Sequence, residues 1–269
     1  MPLYKLRDWI DKSRITPSLC LNNHPAAIEL AIPNKLYWMY LSSNSSQESI
    51  SLLEKNPHEI RWGWLCLNPA AIHLLEKNPD KINWCSLSMN PAAIHLLRAN
   101  PEKIYWFLLS MNPAAIDMLI ANPDKIHWFY LSSNTSPKAI EMLRANPEKI
   151  NWVPLSKNPA AIDLLRANPD KIDWSGLSQN PAALDMLLAN PDNIDWYWLS
   201  KNPAAIDILR ENRDMISWNI FSQNPAIFEY DYMGMRRERR GLHEELIARL
   251  FHPRRVAAYL EAGGDLDDM

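Results

Sequence analysis

A tryptophan recurs along this chain at a nearly fixed interval, at Trp38, Trp62, Trp84, Trp106, Trp128, Trp152, Trp174, Trp196 and Trp218. The spacings are 24, 22, 22, 22, 24, 22, 22 and 22. A short period kept this long is the mark of a repeat array, in which each unit packs only on its neighbours. The most regular unit runs Asn158-Pro159-Ala160-Ala161-Ile162-Asp163-Leu164-Leu165-Arg166-Ala167, then Asn168-Pro169-Asp170-Lys171-Ile172-Asp173-Trp174-Ser175-Gly176-Leu177-Ser178-Gln179. At Asn180-Pro181 it starts again.

Each unit divides into two elements, and both open with Asn-Pro. Asparagine is a strong N-cap, and proline at the first helical position sacrifices no hydrogen bond. Asparagine also tolerates the left-handed conformation that ends a helix, so one residue can close one helix and open the next. Element A is Pro-Ala-Ala-Ile-x-Leu-Leu, and element B is Pro-Asp-Lys-Ile-x-Trp-x-x-Leu-Ser. Pro154 and Gly176 both stand two residues after the anchor tryptophan, which predicts a bend in B just past the indole. No unit can bury a Trp, an Ile and three Leu alone, so the indole is expected to wedge between units. The predicted fold is all-α: an α-solenoid (superhelix) of about nine to ten ~22-residue two-helix repeats with helical caps. At ~8–10 Å per stacked unit this makes a curved rod on the order of 90 Å long.

The two long intervals share one cause. Asn44 to Ile50 and Asn134 to Ile140 each lengthen the turn from B to A by two residues, which marks a solvent-facing edge. Residues 1–17 are expected to form an N-terminal helical cap, because Leu3, Leu6, Trp9 and Ile10 fall on one helical face. Asp11-Lys12 and Ile15 read as a decayed Asp-Lys-Ile. The repeat region spans 18–227. Residues 228–269 are expected to form a C-terminal helical capping region with an acidic tail, with Leu242, Leu246, Ile247 and Leu250 covering the last open face.

Composition narrows the classes. With 28 basic and 31 acidic residues the formal charge is −3, so no global basic field draws in nucleic acid. Cys20, Cys66 and Cys85 read as reduced thiols in unlike repeat positions. No run is long and apolar enough for a signal peptide or a membrane span, which points to a protein that is neither secreted nor transmembrane. There is no phosphate loop, no Gly-x-Ser-x-Gly and no metal-ligand spacing. His73 and His95 lie one unit apart and do not compose a site. No enzyme activity and no cofactor is expected.

Comparison between units separates scaffold from freedom. The freest positions are the two after each tryptophan, and they are rich in aromatics. Tyr40, Trp64, Phe107, Phe129, Tyr130, Tyr197 and Trp198 are therefore candidate partner-binding residues, set against the plainer reading that they fill gaps between units. Asp117, Glu141, Asp163, Asp185 and Asp207 form an acidic ladder, and Lys81, Lys103, Lys125, Lys149 and Lys171 a basic one. Both read as a solvated face with salt bridges. Arg236, Arg237, Arg239 and Arg240 make one basic patch, which Glu238, Glu244 and Glu245 would offset. A base-per-repeat RNA reader would need an exposed aromatic at one constant position, which this chain lacks.

The unit, together with Tyr230-Asp231-Tyr232, Glu244-Glu245-Leu246, Phe251-His252-Pro253-Arg254-Arg255-Val256 and Gly263-Gly264-Asp265, resembles uncharacterised repeat proteins of giant, nucleocytoplasmic large DNA viruses. The resemblance covers nearly the whole chain. It departs near the N-terminus and at Arg213, which replaces the second proline. It implies a viral protein in the virion or the host cytoplasm, and it supplies no catalytic residues. The function expected is a non-enzymatic protein-protein interaction scaffold. A structural minor capsid or virion component and an RNA-binding rod are the alternatives.

Overall fold

The computed structural model describes residues 4–31, 37–251 and 253–262. Leu3, Leu36, Gly263-Gly264 and the acidic tail lie outside them. The chain separates into two compact units: Asp8–Ile227, and residues 4–7 together with 228–262. The repeat region thus begins about ten residues earlier than position 18, for reasons given below.

Each module consists of four short turns. Element A opens as a 3₁₀ turn at Pro113–Ala115 and continues as the α-helix Ile116–Ile120. Element B opens as a 3₁₀ turn at Pro123–Lys125, runs extended through Ile126 and His127, and then enters the helix Trp128–Leu131. The break in B therefore comes before the tryptophan, where the sequence placed it after. Starting the helix at the indole explains both odd residues. Pro154 sits in the first turn of Trp152–Ser156, where backbone N–H groups have no intrahelical acceptor to lose. Gly176 is a matter of space, because a Cβ there would lie 2.7 Å from Asp173 Oδ2 and 3.1 Å from Ser156 Cβ. The Asp173 carboxylate occupies that space because it caps the helix, accepting from the Gly176 N–H at 2.8 Å.

The core is leucine, not tryptophan. Leu119 of element A and Leu131 of element B are 0% exposed, as are their counterparts Leu97, Leu109, Leu143 and Leu155. The anchor indoles are only half-buried. The lysine that precedes the Ile of the next module lies over the indole: Lys103 on Trp84 at 4.6 Å, Lys125 on Trp106 at 5.3 Å, Lys149 on Trp128 at 4.5 Å and Lys171 on Trp152 at 5.0 Å. The basic ladder is thus largely a cation–π ladder. The acidic ladder pairs with element A of adjacent modules, as Lys138–Asp117 at 2.8 Å and Arg166–Asp185 at 2.7 Å. His73 and His95 take the same place with Glu54 at 3.0 Å and Glu76 at 2.8 Å.

A polar ladder runs through the array. Asn112 Oδ1 accepts from the Ala114 N–H at 3.1 Å, which is the cap the sequence predicts. Its Nδ2 reaches into the previous module and donates to the Ser88 carbonyl at 3.1 Å and the Asn90 carbonyl at 3.0 Å. Ser110 Oγ donates to the Trp106 carbonyl at 2.9 Å and accepts from the His127 N–H of the next module at 3.0 Å. Neither asparagine of a module enters the left-handed region: Asn112 has φ −79° and Asn122 φ −136°. The second asparagine folds back instead, as Asn122 Nδ2 does onto the Met118 carbonyl at 2.9 Å. Cys66 stands at the serine position, where its Sγ accepts from the Asn83 N–H at 3.2 Å. Cys20, two residues before Asn22 as Cys66 is two before Asn68, holds the same position. Two of the three cysteines are therefore equivalent, against the sequence reading, and all three are free thiols.

The ladder has no free end. Asn22 Nδ2, which should face outward on a rod, donates to the Ser222 carbonyl at 3.2 Å and the Asn224 carbonyl at 2.9 Å. These are the bonds that Asn224 in turn makes to Ser200 and Asn202. The Thr16 N–H reaches Ser222 Oγ at 3.0 Å, as most modules do with the serine of the module before. Arg14 lies over the Trp218 indole at 4.2 Å, in the place of the lysines above. The Asp8–Ile227 unit is therefore a closed circuit of ten asparagine rungs, in place of the open rod expected. Its tenth module is split between the two ends. The turn Pro225–Ile227 begins its element A, and the turns Lys12–Arg14 and Pro17–Leu21 form its element B, with Pro17 in the place of the indole. Trp9 packs on Phe221 at 5.8 Å, and Ile10 is buried beside it in sequence.

Among the described residues the expected N-terminal helix is absent. Tyr4–Leu6 is a strand, β1, pairing antiparallel with β2, Phe228–Tyr230, in the register Tyr4↔Tyr230 and Leu6↔Phe228. The two helices expected after it are present as Tyr232–Leu250 and Pro253–Glu261. The stripe assigned to capping is exposed: Leu242, Leu246 and Ile247 all face solvent.

Candidate interaction surface

Helix geometry decides which variable residues face outward. In element B the buried Leu lies three residues after the Trp, or about 300° round the helix, so the first residue after the Trp points away from the core and the second only partly so. The structure follows this rule. Phe107 is 41% exposed, Phe129 43% and Tyr197 47%, whereas Tyr40, Tyr130 and Trp198 are half-buried. Trp64 departs from it at 41%.

The seven candidates do not form one strip. Phe107 and Tyr130 meet across adjacent modules with ring centroids 5.7 Å apart, and Phe129 meets Tyr130 at 5.2 Å. Two residues outside the sequence reading complete this cluster. Tyr105 packs edge-on to Phe107 at 6.2 Å, and His127 lies 5.0 Å from Tyr130. Both occupy the position just before the Trp, which varies between modules as freely as the pair after it; that variability was a signal available in the sequence. The extended backbone there turns the side chain to the same side as the first helical turn. Elsewhere Tyr40 stacks on Tyr37 at 5.9 Å, and Tyr197 meets Trp198 edge-on at 4.9 Å with Lys157 Nζ 5.6 Å from the indole.

Five aromatic rings from two neighbouring modules thus make one patch: Tyr105, Phe107, His127, Phe129 and Tyr130. A groove of about 320 Å³ borders it, lined by Trp84, Glu102, Lys103, Ile104 and Tyr105. Glu102 and Lys103 in its lining carry opposite charges, so that edge is polar without a net sign. An apolar centre with a polar rim is the anatomy of a protein contact surface.

The basic patch belongs to the other unit. Arg236, Arg237, Arg239 and Arg240 are exposed on the helix Tyr232–Leu250. Of the carboxylates expected to offset them, Glu245 is engaged elsewhere, held by Arg249 at 2.6 Å, and the side chain of Glu238 lies outside the described residues. Among the described residues no group of three or more His, Cys, Asp or Glu is placed to hold a metal ion, and no helix is long and apolar enough to cross a membrane. No family model, no curated protein and no solved structure matches the chain.

Proposed function

We propose that the chain is a non-enzymatic protein-protein interaction scaffold, acting in the virion or the host cytoplasm of a giant virus. The observation that carries the interaction role is the aromatic patch on the helices Trp106–Leu109 and Trp128–Leu131. Stacking the modules does not require those rings, since other modules carry Asn83, Cys85 and Ser86, or Asp173, Ser175 and Gly176, at the same positions. Large exposed aromatics at positions a scaffold leaves free supply contact area at low entropy cost. The viral setting rests on the resemblance of the module and of the C-terminal motifs.

The array itself supplies the replacements for a test. Tyr105→Asn, Phe107→Ser and Phe129→Ser import residues that other modules of the array already carry, at Asn83 and Ser175. The triple variant is expected to keep the thermal midpoint within a few degrees and to lose the partners that the parent retains by cross-linking and mass spectrometry. Retention of the same partners by a folded triple variant overturns the reading. Abundance of the chain in purified particles distinguishes a virion component from a soluble effector.

A further inference from the structure

The unit built from residues 4–7 and 228–262 has features that the interaction role does not use. Tyr4 and Tyr230 are cross-strand neighbours with ring centroids 4.7 Å apart, and Tyr230 and Tyr232 follow at 5.8 Å. Tyr230 is 50% exposed and Tyr232 68%. A row of tyrosines, its last two exposed, therefore leads into the first turn of the helix Tyr232–Leu250. Tyr232, Arg236 and Arg239 stand at i, i+4 and i+7, so one helical face carries the ring and two guanidiniums in line over about 10 Å. They line a groove of about 420 Å³ with Met233 and Met235. Arg240 lies beside them at i+8. None of these arginines is in an ion pair among the described residues; Asp231, the nearest acid before them, is used as a cap on the Gly234 N–H at 2.9 Å.

We propose that this unit binds single-stranded nucleic acid, with Tyr230 and Tyr232 as the stacking platform and Arg236, Arg239 and Arg240 as phosphate ligands. Stacking on tyrosine needs unstacked bases, which a duplex does not offer, and unpaired arginines beside exposed rings are the two components such sites combine. An acidic protein would use the guanidiniums and leave the tyrosines idle. A lipid surface needs one apolar helix face, yet Met233, Leu242, Leu246 and Ile247 are interleaved with the arginines round this helix. The whole-chain charge of −3 does not oppose the site, because a Debye length of about 8 Å confines the field to the local patch.

The test is fluorescence anisotropy of the full chain with a labelled oligothymidylate of about 20 nucleotides, titrated from about 50 to 200 mM salt. Saturable binding is expected, with a log–log salt slope of about −2 for three phosphate contacts. Arg236→Gln with Arg239→Gln should flatten that slope by about 1.4, and Tyr232→Ala should weaken binding about fivefold or more with the slope unchanged. All these side chains are exposed, so the thermal midpoints should match the parent. A duplex of the same sequence should compete poorly. Absence of saturable binding overturns the proposal. So does binding that neither variant alters, or equal competition by polyglutamate or anionic vesicles at matched charge.

Discussion

Replacing Asn22 by alanine distinguishes a closed array from an open one, because the two architectures give this residue opposite environments. At the end of a rod its amide would face water, and truncation would cost no more than about 0.5 kcal/mol. In this structure Asn22 is 0% exposed, donates at 3.2 and 2.9 Å to Ser222 and Asn224, and accepts from the His24 N–H at 3.0 Å. Asn112, in mid-array, is also 0% exposed and makes three bonds at 3.1, 3.0 and 3.1 Å. Three hydrogen bonds at about 1 kcal/mol each, with buried carbonyls left unpaired, set the loss at about 3–5 kcal/mol for either residue. The assay is urea unfolding of Asn22→Ala and Asn112→Ala beside the parent, with amide hydrogen exchange at Thr16 and His24. Because a seam can rupture without global unfolding, the Asn22 variant is read in either signal: a lowered midpoint, or selective loss of Thr16 and His24 protection. If Asn112→Ala costs several kcal/mol while Asn22→Ala changes neither signal, the reasoning from a closed ladder is refuted.

The glycines of two equivalent helices should respond oppositely to alanine. Gly176→Ala meets Asp173 and Ser156 and should lose about 1–3 kcal/mol, whereas Gly63→Ala, with nothing within 4 Å, should gain about 0.5–1 kcal/mol; thermal midpoints decide. Cys66→Ser should be neutral or slightly stabilising, since serine holds that rung in most other modules, and Ser110→Ala should lose about 2 kcal/mol because two bonds go with the hydroxyl. Burial pushes the Cys20 and Cys66 thiols above the ordinary range. The unfolded chain therefore ionises them first: their contribution is intact below about pH 8.5 and is lost as pH rises beyond it. Stability should fall at alkaline pH less steeply in the Cys20→Ser, Cys66→Ser double variant, and an unchanged slope would count against this assignment. Lys149→Ala, which uncovers one face of Trp128 at an exposed site, should cost no more than about 1 kcal/mol by the same unfolding assay.

The module and its core were legible in the sequence because they are local. Pro-Ala-Ala, the spacing of the buried leucines and the N-capping asparagine are all set within a dozen residues, where helix period and cap chemistry operate. The outward direction of Phe107 and Phe129 follows from the same period. The split of the aromatic candidates was less legible, since meeting between Phe107 and Tyr130 depends on how far one module turns relative to the next. Tyr105 and His127 join the patch because the backbone at the position before the Trp is extended, which helix period alone does not convey.

Closure belongs to the tertiary structure alone. A periodic sequence states what each module contacts but not the small rotation between modules, and only the accumulated rotation, on average one tenth of a turn, brings Asn22 to Asn224. A rung between ends is chemically the same as a rung between neighbours, so no local pattern distinguishes a ring from a rod. The half-burial of the indoles is likewise tertiary, because the lysine that covers each one comes from the next module. The sequence by itself determined the bricks and their mortar of asparagine and serine; the angle between bricks decided that the two ends of the repeat region would build its tenth module together.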